Sequence, residues 1–145
     1  MKKLIIALLF YIINFNSFAQ KYTDKYIQEA NTIAINWFKK INSKDYKTSY
    51  QMLANELKEK YTKEQWVFFM NELMIEFGGI NTRNIQKKLF KSQIDGLEDG
   101  FYVLIEYKSD YSNTNNHFEF LILKQNDEMN WEILDYYYEF EETKH

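Results

Sequence analysis

Hydrophobic positions recur with two different periods along this chain. Ile27, Ala30, Ala34, Trp37, Phe38 and Ile41 fall three or four residues apart, the stripe of an amphipathic helix. Lys25, Glu29, Asn36 and Lys39 take the opposite side. Thr23 or Asp24 supplies an N-cap, and the stripe ends near Asn42. Ser43 offers the next cap, with Asp45 in a first turn where a carboxylate complements the helix dipole. Tyr46, Tyr50, Leu53 and Leu57 continue the period as a second helix, irregular before Tyr61. Thr62-Lys63-Glu64-Gln65 reads as a capping box. Trp66, Phe69, Met70, Leu73, Met74 and Phe77 follow as the cleanest stripe in the chain, and Gly78-Gly79 stops it.

Beyond Gly79 the period shortens to two. Ile80 to Ile94 reads as a long edge strand, with Ile85, Lys87 and Leu89 on one face and Lys88 and Lys91 adding charge that blunts the edge. Asp95-Gly96 and Asp99-Gly100 are turn dipeptides that close a hairpin into Phe101. Phe101–Tyr107, Phe118–Leu123 and Trp131–Phe140 are rich in aromatic and β-branched residues, the mark of an antiparallel meander. Polar loops at Asp110–Asn116 and Asn126–Asn130 separate them. Strict alternation in the last strand groups Trp131, Ile133, Asp135 and Tyr137 on one face, and Glu132, Leu134, Tyr136 and Tyr138 on the other. Helices followed by strands give an α+β fold, three N-terminal helices on a curved antiparallel sheet of about four strands. A strongly bent sheet of this kind encloses a cone-shaped cavity with its helices.

Residues 1–19 are kept out of that core. Lys2 and Lys3 precede the apolar run Leu4 to Ile13, and Ser17-Phe18-Ala19 places small residues where a signal peptidase reads them. The run is shorter than the roughly 18–20 residues a spanning helix needs. The expectation is cleavage after Ala19 and a single exported domain, periplasmic or secreted, over residues 20–145. The rival reading is an uncleaved N-terminal anchor, the one route by which this chain meets a membrane. Loss of Lys2 and Lys3 takes the formal charge from −3 to −5. Nothing here forms the clustered cationic face that nucleic acid requires. The absence of cysteine removes disulfides, thiol catalysis and thiolate zinc sites.

Candidate chemistry is sparse. His117 and Glu119 are two apart on a strand, but two ligands do not make a zinc site; a solvent-exposed His beside a strand carboxylate is the plainer reading, and no metal or cofactor is expected. Glu106, Glu119 and Asp135 each interrupt an apolar strand. In a cone, one such carboxylate with a hydroxyl from Tyr107, Tyr136 or Tyr138 has the makings of proton transfer like that of ketosteroid isomerase. Plain alternation explains the same acids if they point to a wet face. Tyr136-Tyr137-Tyr138 with Phe140 puts rings on both faces of the last strand, one set in the core and the other free to form an aromatic surface. No phosphate-binding loop, dinucleotide turn, serine elbow or His-Glu-x-x-His motif is present.

The C-terminal half carries a resemblance. Phe101–Tyr111 ending in Ser109-Asp110-Tyr111, Glu119 in the next strand, and Trp131-Glu132-Ile133-Leu134-Asp135-Tyr136-Tyr137 resemble the domain-of-unknown-function family numbered 4019. Trp37-Phe38, Asp45-Tyr46, Trp66, Gly78-Gly79 and Arg83 sit where that family's helical half has similar residues. Asp135 stands where the family usually has Gly. The resemblance spans nearly all of residues 20–145 and implies exported bacterial proteins with a cystatin-like or nuclear-transport-factor-2-like cone, and no assigned activity. The functional reading is a small binding or interaction module for an unknown small molecule or protein, with a homodimer compatible. Its alternative is a cofactor-free enzyme or carrier using the cone interior. Candidate binding residues are Tyr107, Tyr136, Tyr137, Tyr138, Glu106 and Glu119.

Overall fold

The computed structural model describes the backbone of residues 2–140 and the side chains of residues 20–140. The sequence expectation of helices, then a meander, holds. Among the described residues, α1 (Lys2–Asn42), α2 (Tyr46–Gln51), α3 (Asn55–Lys60) and α4 (Lys63–Phe77) precede β1 (Ile80–Lys91), β2 (Tyr102–Tyr111), β3 (His117–Gln125) and β4 (Trp131–Phe140). The sheet is antiparallel throughout, in the order β1-β2-β3-β4, and does not close. No helix among the described residues is long and apolar enough to cross a membrane.

Capping chemistry sets the starts of α2 and α4, whereas α1 runs unbroken through Thr23 and Asp24, the expected caps, and α3 starts without a side-chain cap. Asp45 Oδ1 accepts from the Thr48 amide at 3.2 Å and starts α2. Thr62 and Gln65 form the reciprocal capping box that starts α4. The single second helix expected from Ser43 to Leu57 is two short ones instead. Between them the backbone leaves the helix to pair with β4: Ile133 donates to the Met52 carbonyl at 2.9 Å and Ala54 donates to the Ile133 carbonyl at 2.8 Å. Those tertiary bonds replace helical ones, which periodicity alone does not reveal.

Gly78, at φ +80, ends α4, and a Cβ there would lie 2.1 Å from Ser112 Oγ. Only glycine permits that approach without a shift. The turn is bolted to the β2–β3 loop, since Ser112 donates to the Gly79 carbonyl and Asn113 to the Phe77 carbonyl. This fixes α4 over one end of the sheet.

The core lies between the helices and the sheet's inner face. Trp37, Phe38 and Ile41 of α1 and Trp66, Met70, Leu73 and Phe77 of α4 pack on Val103, Ile105, Leu121, Leu123 and Ile133. Trp37 and Trp66 are buried as their stripes require, and Trp66 donates its indole N–H to Ser49 Oγ at 3.0 Å. Phe69, expected on the buried stripe, instead lies exposed and stacked on Tyr61.

Bulges bend the sheet and change which residues share a face. Ile80 pairs with Tyr111 and Thr82 with Asp110, leaving Asn81 extra, and Gln86 is likewise extra between Ile85 and Lys87. Ile85 is thereby placed opposite inward-facing Tyr107, while Lys87 and Leu89 face outward, so the expected shared face breaks at Gln86. In β4, Ile133 pairs with Leu123 and Asp135 with Ile122, leaving Leu134 extra. Trp131, Ile133, Tyr136 and Tyr138 therefore look inward together, and Tyr137 looks outward. Strict alternation separates Tyr136 from Ile133; a single bulge residue reunites them. Asp135 accepts from the Tyr136 amide at 3.0 Å beside that bulge.

Candidate functional site

Two arrangements draw attention, one on each face of the sheet. The inner one is built around Glu119. Alternation along β3 turns His117, Glu119, Leu121 and Leu123 toward the helices. Register sets Arg83 opposite Ser109, one row from Glu119, and Tyr138 directly opposite Glu119.

Glu119 is fully buried and Arg83 nearly so. Arg83 Nε donates to Glu119 Oε2 at 2.8 Å and Nη2 to Oε1 at 3.3 Å, a two-point pairing. Ser109 Oγ donates to Oε2, while Tyr111 and Tyr136 each donate to Oε1 at 2.8 Å. Arg83 also reaches the Tyr111 oxygen and Asn42 Oδ1, and its guanidinium lies 3.7 Å from the centre of the Phe38 ring. All four strands thus meet at one carboxylate, and α1 joins them through Arg83.

The electrostatics follow from that geometry. Burial pushes the Glu119 carboxyl up, but the Arg83 guanidinium and the hydroxyl donors outweigh it and hold the group below its usual range. Desolvation works against the charge on Arg83 too, and Glu119 overcomes it. Burial, reinforced by the neighbouring carboxylate, raises Tyr111 and Tyr136, so both remain hydroxyl donors. Burial raises Tyr107 and lowers His117.

Chemically, this cluster is closed. A carboxylate offers about four lone-pair directions, and Glu119 accepts five contacts from four residues. No acceptor capacity is left to take a proton from a substrate. The Arg83 guanidinium covers it from one side and is itself covered by the Phe38 ring, and Glu119 has no exposed surface. A cavity of about 370 Å³ lies alongside, lined by Ile41, Asn42, Tyr46, Met74, Gly79 and Tyr111 among others, and of the residues bonded to Glu119 only Tyr111 borders it.

The outer arrangement occupies the opposite face. Cross-strand rows there read Leu89, Leu104, Ile122 and Asp135; then Lys87, Glu106, Phe120 and Tyr137; then Asn84, Lys108, Phe118 and Glu139. Phe120 and Tyr137 stack with centroids 4.7 Å apart and planes at 11°. They border a groove of about 210 Å³ floored by Leu104 and Ile122, with Leu89, Lys87 and Glu106 on its far side. Ile94 of the β1–β2 loop packs with Tyr102, Leu104, Ile122 and Leu134 at one end of this face, and α3 reaches it there through Glu56 and Lys124. No helix covers the rows from Lys87 to Glu139.

The six candidate residues divide between these faces. Glu119, Tyr107 and Tyr136 lie inside, Tyr107 buried edge-on to Phe38, its hydroxyl without a hydrogen-bond partner among the described residues. Tyr138 is inside and half-buried against Phe77. Glu106 and Tyr137 lie outside, Tyr137 being 43% exposed. The expectation of an exposed His117 fails: its ring is fully buried among Phe77, Tyr111 and Phe140. Of the three strand acids, Glu106 and Asp135 point to the wet face as alternation requires, and Glu119 does not. Arg83, Ser109 and Tyr111 carry a signal only through the family resemblance, and Phe120 reads only as one aromatic of the Phe118–Leu123 strand. A usable signal was that Arg83 is the chain's only arginine, placed in an otherwise polar strand.

The family model described as "Protein of unknown function (DUF4019)" matches residues 33–136. No curated protein matches the chain, and no solved structure does.

Proposed function

The chain belongs to the DUF4019 family, and from that premise we propose that it is a binding module that engages its partner through the open outer face of the sheet. The observation that carries this reading is the Phe120–Tyr137 stack beside an apolar groove that no helix covers. Aromatic rings on a rigid strand supply contact area at low entropic cost, and the tyrosine hydroxyl adds orientation. The inner cluster supports the same choice from the other side. Glu119 serves as a structural knot that ties four strands to α1, and proton transfer there lacks both a free lone pair and room for a substrate.

The cavity beside Tyr111 sustains one second reading, a carrier for a small molecule, because its volume of about 370 Å³ falls within the range of ligand sites. The helix-over-curved-sheet arrangement supports a nuclear-transport-factor-2-like cone as the architecture. Export with cleavage after Ala19 remains part of this proposal, on the charged, apolar and small-residue order of residues 1–19.

A photo-crosslinking amino acid at Tyr137, compared with one at exposed Glu72 of α4, tests the surface. Position 137 is expected to give a discrete adduct that Phe120→Ser abolishes, with none from position 72. Equal yields from both positions overturn the reading.

A further inference from the structure

We infer that the outer face takes a second copy of this chain, the two sheets packing face to face about a two-fold axis parallel to the strands. This rests on the reading of that face as the binding surface and names its occupant.

The argument is one of charge across the sheet. On the outer face, the β1 edge carries Lys87, while the β4 edge carries Asp135 and Glu139. Between them run the apolar and aromatic residues Leu104, Ile122, Phe118 and Phe120. The β1 edge of the face is therefore positive and the β4 edge negative, and between them the apolar middle is interrupted by Glu106 and Lys108 on β2.

Two orientations place such a face on itself with two-fold symmetry, strands roughly aligned. An axis perpendicular to the strands lays β1 on β1 and β4 on β4. Each row is reversed onto its own strand, so Lys87 meets Lys87 and the β4 acids meet one another. An axis parallel to the strands lays β1 over β4 and β2 over β3 at the same height. Lys87 then sits on Tyr137 of the second copy, between Asp135 and Glu139. Leu104 meets Ile122, and Lys108 meets the Phe118 ring. Lys87 gains two flanking acids, Leu104 and Ile122 an apolar counterpart and Lys108 an aromatic ring, while Glu106 over Phe120 and Leu89 over Asp135 gain nothing; each contact occurs twice.

The size of the face sets the strength. Four strands about 4.8 Å apart, with about seven residues each at roughly 3.4 Å rise, give on the order of 450 Å² of flat sheet per copy. Over both copies that is about 900 Å², below the roughly 1,200 Å² of stable specific interfaces, and it fits a weak, reversible dimer.

A charge-swap experiment decides it. Lys87 and Glu139 are both exposed, so Lys87→Glu and Glu139→Lys are made separately in the full chain, and thermal melts confirm that each folds. Sedimentation equilibrium at low salt should show dimer for the native chain and dissociation constants raised at least about tenfold for each variant. An equimolar mixture of the two variants restores both contacts in the mixed dimer and is expected to associate as the native chain does, with the effect fading at high salt. A native chain that stays monomeric, or a mixture that does not recover, overturns the self-association. The crosslink at Tyr137 separates this from failure of the surface itself. An adduct of twice the chain mass supports the second copy, one of another mass rejects the second copy while keeping the surface, and none rejects both.

Discussion

Replacing Arg83 with Met is expected to cost most of the stability this domain has. The substitution keeps apolar bulk above Phe38 but removes the only cationic partner that the inner cluster gives Glu119. Glu119 has no exposed surface, so its charge cannot turn to water. Breaking a buried pair from one side typically costs about 3–5 kcal/mol, against a total of roughly 5–15 kcal/mol for a domain. Urea unfolding followed by tryptophan fluorescence measures the loss. The pH dependence identifies its cause. In the native protein the Glu119 carboxyl is held low, so its contribution is present above the unfolded value of about 4.3 and is lost as pH falls through the folded one. Without Arg83, burial dominates and the carboxyl is raised, so the folded variant gains relative stability as pH falls. The gap between the two proteins should narrow from neutral pH toward about pH 4. Arg83→Met combined with Glu119→Leu should recover much of the loss, because no buried charge remains. A single-variant cost below about 1 kcal/mol, or a gap that does not change with pH, refutes the account.

The other expectations concern packing and backbone. Trp37→Ala and Trp66→Ala should each lose about 3–5 kcal/mol in denaturant melts, the second also stripping Ser49 of its indole partner. Gly78→Ala should lower the melting temperature clearly, through its positive φ and the clash with Ser112, while Gly79→Ala, whose Cβ meets nothing within 4 Å, should be nearly silent. Burial holds the His117 imidazole below its usual range, so its neutral form supports the fold above about pH 6.5 and that support is lost as pH falls through the folded value. His117→Phe should flatten that part of the stability–pH curve, and an unchanged slope would count against it.

The elements were legible in the sequence because each has a local cause. The Thr62 capping box, the stop at Gly78-Gly79 and the meander from Phe101 onward all rest on residues near in sequence. The split at Leu53 was not legible, because it depends on hydrogen bonds to Ile133, distant in sequence and near in space. The faces of β1 and β4 were misassigned for a related reason: alternation carries no sign of an inserted residue, and Gln86 and Leu134 look ordinary in the string. Exposure of Tyr137 was within the expectation for the Tyr cluster, but Phe120 beside it reads as one more strand aromatic until the register pairs them. The Arg83–Glu119 contact spans 36 positions and leaves no spacing motif.

The extra residue at Leu134 makes β4 a strand with two phases. Its first part, Trp131 to Ile133, is held by the α2–α3 connection and the core, and its second, Tyr136 to Phe140, carries the rings of both faces. Loss of one codon at that point would leave the first part in place and turn the second over, sending Tyr136 and Tyr138 to solvent and Tyr137 into the core. A family built on this sheet can therefore tolerate drift in side-chain identity along the second part far more readily than a change in its length. Lineages that keep the inner knot should vary in residue type around Leu134 while conserving the residue count between Ile133 and Tyr136.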